Sequence, residues 1–296
     1  MSKKILFIFN PLSGKGQIKN CLADVIDIFT KGGYDVTVHP TQRRNDAFEL
    51  VERSANNFDI IVVSGGDGTL NEAVHGVLSY SAENRCPIGY IPSGTTMDFA
   101  ASRGIPKEPV KAAEHIINGT PKKEDIGLLN GNTFNYVAAF GAFTDVSYDT
   151  PQGAKNIFGH AAYVVEGIKR IPTIDAIHVK LKYADGEIDD YFSMGCILNS
   201  TSMAGINFDG RYDISFDDGL FEILLVKKPV TLIQAQEFIW SVFTGTESGD
   251  QFRLVRSSFA NIEFDNEIKW TLDGEFGGAF KNVRMDVLEK AVSFIL

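Results

Sequence analysis

Residues 64–72 read SGGDGTLNE. Gly65, Gly66 and Gly68 can take positive φ and let the backbone approach an anion, and a helix starting there would add the positive end of its dipole. The stretch is therefore suited to cradling phosphate. Asp67 needs a separate reason, because a carboxylate beside a phosphate is repulsive unless a cation such as Mg²⁺ lies between them. A plain glycine turn with Asp67 capping the next helix would use the same residues. Two further loops share the composition, NPLSGKG at residues 10–16 and PSGTTMD at residues 92–98. Parallel α/β sheets bind ligands at the carboxyl ends of their strands, so the coincidence of three such loops weighs more than any one of them.

Two familiar phosphate motifs do not fit. A Walker A loop needs Gly five residues before Gly14, where Phe9 stands, and Ser or Thr after Lys15, where Gly16 stands. A dinucleotide fingerprint started at Gly66 finds Gly68 but then Asn71.

The elements that must hold these loops are legible as periodicities. KKILFIFN reads as a first strand. Ile18, Cys21, Leu22, Val25, Ile26 and Phe29 then keep helical spacing up to Gly32 and Gly33. YDVTVHP is a second strand, Ala47, Leu50, Val51, Ser54 and Ala55 mark a second helix, and DIIVVSG is a third strand. Thr69 and Glu72 have the spacing of a capping box for the next helix, whose buried stripe is Leu70, Ala73, Val74, Val77 and Leu78. PIGYIP follows as a fourth strand. This repetition predicts a mainly parallel sheet covered on both faces.

Near GTPKKEDIG the pattern changes. Hairpin signals stand at Asn130-Gly131 and Asp185-Gly186, and strand-like runs recur at GLFEILLV, NIEFD, EIKWTLDG and VRMDVL, with a helix in TLIQAQEFIWSVF. An antiparallel β-sandwich is expected there. The expected domains are residues 1–125 and 126–296, with a return of the last few residues to the first domain left open.

Composition narrows the class. The 296 residues, 44% hydrophobic and 22% charged, read as a soluble protein with ample core. No apolar stretch approaches the roughly 20 residues of a membrane span. The N-terminal apolar run reads as a strand rather than a signal segment, which predicts a cytoplasmic protein. Cys21, Cys86 and Cys196 are odd in number and far apart, against a disulfide framework or zinc site. The formal charge of −10 argues against nucleic acid as a partner and against strong adhesion to anionic lipid.

Taken together, NPLSGKG, GGDGTLNE, PSGTTMDFA and LDGE (residues 272–275) resemble, in order, the motifs of the diacylglycerol kinase catalytic-domain family, in particular its soluble bacterial lipid kinases. GGDGT alone is less specific, since NAD kinases and phosphofructokinases carry related loops; LDGE after a β-rich half favours the lipid kinases. The resemblance implies an α/β N-terminal domain of the phosphofructokinase and NAD-kinase kind plus a C-terminal antiparallel β-sandwich, with ATP in the cleft between them. It implies that Asn10, Pro11, Ser13, Gly14, Thr41, Gly66, Asp67, Gly68, Thr69, Asn71, Glu72 and Thr95 contact or shape the ATP site.

In LDGE, Asp273 and Glu275 are two apart, so an extended strand would point both carboxylates to one side. One could take the proton from a lipid hydroxyl while the other holds Mg²⁺ or the base, and Asp273 is the expected base with Glu275 beside it. A D-G turn between strands is the alternative. SFDDGLFE resembles the family's structural Mg²⁺ site, with Asp218 as side-chain ligand and Ser215 and Leu220 offering carbonyls; an ordinary D-D-G turn is again the alternative. Asp98 is the acid expected near the acceptor or the metal network. Before it the family usually has Asn, whereas this chain has Met97, whose thioether neither donates nor accepts strongly.

The expected activity is ATP-dependent transfer of the γ-phosphoryl group to a lipid hydroxyl, diacylglycerol giving phosphatidic acid. Phosphatidylglycerol or a sphingoid base as acceptor, a NAD kinase, and a nucleotide-binding regulator without turnover stay open. ATP and Mg²⁺ are the implied cofactors. Partners expected are a lipid substrate at the membrane interface, with peripheral contact at the inner face, and a second copy of the chain in a homodimer. Residues 147–172, with Lys155, His160, Lys169 and Arg170 among aromatics, read either as a basic amphipathic surface at that interface or as a helix packed on the sandwich.

Overall fold

The computed structural model describes residues 2–94, 97–141, 175–203, 206–207, 214–228 and 251–296. The chain divides into two compact units, Met1–Ile126 with Glu289–Leu296, and Gly127–Leu288. Residues 147–172 and the helix expected in TLIQAQEFIWSVF lie outside the described residues, as does Thr95.

The first unit contains β1 (Lys3–Phe9), α1 (Gln17–Lys31), β2 (Tyr34–Pro40), α2 (Asp46–Ser54), β3 (Ile60–Gly65), α3 (Asp67–Leu78), β4 (Ile88–Pro92), α4 (Asp98–Ser102) and α5 (Pro109–Asn118). The strands pair in parallel in the order β2, β1, β3, β4, with Phe294 joining β4 in parallel at Ile88. Strands β3 and β4 are buried along their whole length, as near-continuous apolar runs between two helical layers must be. On one face, Phe7, Phe9 and Val62 pack against Ile18, Val25 and Phe29 of α1 and Ala112, Ala113 and Ile116 of α5. Helices α2 and α3 pack together, and α3 lies on β3.

The order of these strands matters for function. From β1 the chain turns into α1 to reach β2 on one side, and it then crosses to β3 on the other side of β1. The loops after β1 and β3 therefore diverge from neighbouring strand ends, which opens a crevice at the carboxyl edge.

Two strands carry the boundary between units, β5 (Pro121–Leu129) and β16 (Glu275–Ile295). The second unit also contains β6 (Asn132–Phe134), β7 (Val137–Gly141), β8 (Ile177–Tyr183), β9 (Gly186–Phe192), β10 (Met194–Leu198), β11 (Ser202–Met203), β12 (Ile206–Asn207), β13 (Phe221–Val226), β14 (Phe252–Ser257) and β15 (Phe259–Leu272). Antiparallel pairing runs β14, β13, β10, β7, β15, β16, and the β8–β9 hairpin joins β15. NIEFD and EIKWTLDG, read separately in the sequence, form the single strand β15. Its register breaks between Glu263 and Ile268, and there it changes partner from β8 to β7. A strand that bends at an irregularity can serve two layers, and the residues facing inward from both close one core around Phe140, Phe264 and Trp270. The chain is thus an α/β unit with a parallel sheet and an antiparallel β-rich unit.

Asn130-Gly131 forms the β5–β6 turn as its sequence predicts, with both residues at positive φ. The second hairpin is shifted. Tyr183 pairs with Gly186, so Ala184 and Asp185 make the turn and Gly186 begins β9. The free cysteines agree with reduced thiols; burial pushes Cys196 up to about 12, leaving it a poor nucleophile.

Candidate functional site

In the first unit the three glycine loops meet at one edge of the sheet. The register pairs Phe9 with Ser64 and Gly65 with Pro92, so all three loops leave from the same level. Backbone bonds fix them to one another: Asn10 N–H donates to Ser64 O at 2.8 Å and Ser93 N–H to Gly65 O at 2.9 Å. The Ser13 hydroxyl donates to Ser93 O at 2.9 Å, and Asn10 Oδ1 accepts from Leu12 N–H at 2.9 Å. Gly14 has φ +55°, and a Cβ there would lie 2.3 Å from Ser93 O, so no other residue fits without moving the loop. Thr41 N–H donates to Phe9 O at 2.9 Å and stands beside this loop.

Helix α3 begins at Asp67 with the extended Gly66 as its cap, and no side chain caps it. The capping box expected of Thr69 and Glu72 is therefore absent, because the helix starts two residues before Thr69. Glu72 instead reaches α2, accepting from Asn45 N–H at 2.8 Å and Ala47 N–H at 3.2 Å. That carboxylate organises a neighbouring helix start, which is a different task from touching phosphate. Asp67 lies beside the Tyr90 hydroxyl, which donates to Gly65 O at 2.9 Å. Burial, and then the charge of Asp67, push the Tyr90 phenol well above its usual range, so it remains a donor. Asp98, 2% exposed, is the first residue of α4.

Two side chains in this edge were not singled out from the sequence. The hydroxyls of Ser64 and Ser93, at the ends of β3 and β4, are buried and have no hydrogen-bond partner among the described residues. Such groups call for water or a ligand oxygen. Their signal was slight, a serine at each strand-to-glycine junction.

In the second unit the LDGE segment is a hairpin tip. Asp273 (φ 50°) and Gly274 (φ 83°) form the turn between β15 and β16, with Leu272 paired to Glu275. The extended geometry that would put both carboxylates on one side is overturned. Asp273 is 5% exposed and folds back to accept from the backbone N–H groups of Asn135 at 2.7 Å, Tyr136 at 3.0 Å and Val137 at 3.2 Å. Three backbone donors thus occupy this carboxylate. Its geometry is that of a clamp on the hairpin tip. Glu275 and Phe276, in contrast, are exposed. Asn135, 1% exposed, carries a side-chain amide with no partner among the described residues.

At the segment 215–222, Asp218 Oδ1 accepts from Leu220 N–H at 3.0 Å and Oδ2 from Arg256 Nη2 at 2.6 Å. The Ser215 hydroxyl donates to Asp217 Oδ1 at 3.0 Å. Among the described residues there is no group of three or more His, Cys, Asp or Glu side chains able to hold a metal ion. Asp218, the expected side-chain ligand, thus shares its carboxylate with Leu220 N–H and the Arg256 guanidinium.

The profile of the diacylglycerol kinase catalytic domain matches residues 4–129. Over 279 residues the chain is 33% identical to a diacylglycerol kinase of Bacillus subtilis (strain 168), covering 93% of this chain and 91% of that protein. The chain belongs to the diacylglycerol kinase family. A diacylglycerol kinase of Staphylococcus aureus (strain MRSA252) is 34% identical over 282 residues, 94% of this chain and 88% of the relative. The fold is that of the crystal structure of a diacylglycerol kinase from Bacillus anthracis str. Sterne, with TM-score 0.77, 22% identity and coverage of 99% of this chain and 97% of that one. A second crystal structure from that strain gives TM-score 0.84 at 24% identity, over 99% and 95% of the two chains. Family membership supports a kinase acting on a lipid alcohol, and no helix among the described residues is long and apolar enough to cross a membrane.

Proposed function

We propose that this protein transfers the γ-phosphoryl group of ATP to the hydroxyl of diacylglycerol, with Glu275 as the base. The observation that carries the reading is the hairpin tip. Asp273 fixes the turn by three backbone bonds, and after Gly274 come the exposed carboxylate of Glu275 and Phe276, which is 53% exposed. A carboxylate able to accept a proton, next to apolar surface, suits an acceptor that joins a hydroxyl to hydrocarbon. In the first unit, Leu12 of the first glycine loop is also apolar and 83% exposed, which suits a soluble dinucleotide acceptor less well.

The phosphates would rest on the loops at residues 10–14 and 64–69, where the N-terminus of α3 and the buried Ser64 and Ser93 hydroxyls supply donors. Asp67 and Asp98 are hard oxygen donors of the type that holds Mg²⁺ with a nucleotide, and the ion would neutralise phosphate charge. Glu275 within hydrogen-bond reach of the acceptor hydroxyl would take its proton as the oxygen attacks phosphorus in line with the departing ADP oxygen.

The test is transfer of label from γ-labelled ATP to mixed micelles of diacylglycerol, phosphatidylglycerol or sphingosine, with NAD as a soluble competitor. Label is expected in diacylglycerol, lost by roughly a hundredfold or more in Glu275→Gln with ATP binding retained. Asp273→Asn should lower the unfolding midpoint as well as turnover, since it weakens the clamp. Full turnover by Glu275→Gln would remove it as base, and label in another acceptor would replace diacylglycerol.

A further inference from the structure

Asp218, Glu222 and Arg256 converge where β13 and β14 run side by side, Glu222 and Arg256 being paired in the register. The Arg256 guanidinium donates through Nη2 to Asp218 at 2.6 Å and through Nε to Glu222 Oε1 at 3.0 Å. Glu222 is 1% exposed, and its other oxygen, Oε2, is buried with no hydrogen-bond partner among the described residues. Such an oxygen beside an aspartate is a ligand of the kind that hard divalent cations take. A buried carboxylate persists only where a cation compensates it, and here the guanidinium touches both acids. An ion on Asp218 Oδ2 would have to share that oxygen with the guanidinium, whose positive charge opposes it.

We propose that Arg256 is the built-in cation of this segment: Asp218 binds no divalent metal in the native protein, and removing the guanidinium uncovers a Mg²⁺ site formed by Asp218 and Glu222. The inference is independent of the proposed reaction, since these residues belong to neither the glycine loops nor the hairpin tip. Planar, bidentate recognition suits Arg for this position, and the fold of the second unit then needs no metal there.

The experiment is thermal unfolding of the full chain, free of nucleotide and stripped with EDTA, with and without millimolar Mg²⁺. Four proteins are compared: wild type, Asp218→Asn, Arg256→Met and the double variant. Wild type and Asp218→Asn should respond to Mg²⁺ equally. Arg256→Met should gain a Mg²⁺-dependent rise in midpoint of roughly 2–4 °C that the double variant lacks. A Mg²⁺ stabilisation of the wild type that Asp218→Asn abolishes would overturn the proposal, and so would a folded Arg256→Met indifferent to Mg²⁺. If Arg256→Met fails to fold, the wild type and Asp218→Asn pair still decides whether Asp218 holds a metal.

Discussion

Met97 stands at φ 54°, ψ 36°, in the left-handed region, as the cap residue of α4. For a residue with a Cβ this conformation costs about 1–2 kcal/mol, and Asn tolerates it better because its short amide can bond locally. The sequence marked position 97 for a chemical reason, the loss of a hydrogen-bonding amide; the backbone supplies a second, conformational one. Met97→Asn is therefore expected to stabilise the first unit by up to about 1 kcal/mol, measured by urea unfolding. A destabilised variant would mean that the thioether packs usefully enough to outweigh the strain. Asp273 illustrates the converse limit. Residue types and a two-residue spacing were legible, but which carboxylate faces solvent depends on φ at Asp273 and on backbone donors at 135–137, more than a hundred residues away. Spacing alone carries no such information.

Strands and helices with strong periodicity were legible in the sequence, and those set by tertiary pairing were not. β2 and the first three helices follow from apolar spacing, whereas α4, only five residues long, has no room for a period. What holds α4 is a buried ion pair that no local pattern announces: Arg103 Nε lies 2.9 Å from Glu124 Oε2, the two side chains 1% and 3% exposed, with the guanidinium over the Phe99 ring. Removing one partner strands a buried charge, so Arg103→Met should cost about 3–5 kcal/mol in denaturant unfolding, and adding Glu124→Leu should restore most of it. If the double variant were as unstable as the single one, packing of Arg103 on Phe99 rather than charge would be the cause. At the edge of the second unit, His178 of β8 bonds Asp265 of β15 at 3.1 Å and Asp189 of β9 at 2.7 Å and stacks on Tyr191, with Lys180 also beside Asp189. The hydrogen bond to Asp265, then that to Asp189, raises its pKa above the usual 6.5. A raised folded pKa stabilises the protonated form, so this contribution is complete below 6.5 and is lost as pH rises through the folded value. The unfolding midpoint should therefore fall on the alkaline side of 6.5 in the wild type and be flatter with pH in His178→Gln; parallel profiles would show that the triad contributes nothing.

At the scale of the molecule, a formal charge of −10 meets a reaction whose proposed acceptor is neutral and whose product is anionic. Under the proposed reaction, each turnover would add negative charge to the surface that holds the acceptor. Long-range repulsion between like charges is screened over about 10 Å at 0.1 M salt and over about 30 Å at 0.01 M, so lowering salt should enlarge the effect. Turnover on diacylglycerol in neutral vesicles is expected to vary little with ionic strength, whereas on vesicles containing phosphatidic acid it should fall as salt is reduced. Progress curves at low salt should bend earlier than substrate depletion requires, and added salt should straighten them. The opposite sign, faster turnover on anionic vesicles at low salt, would mean that a local basic surface overrides the net charge. The segment with Lys155, Lys169 and Arg170 would be the first place to look, and replacing those three with Gln would then reverse the salt dependence. The measurement thus separates an enzyme held off its own product by its charge from one drawn to it by a basic face.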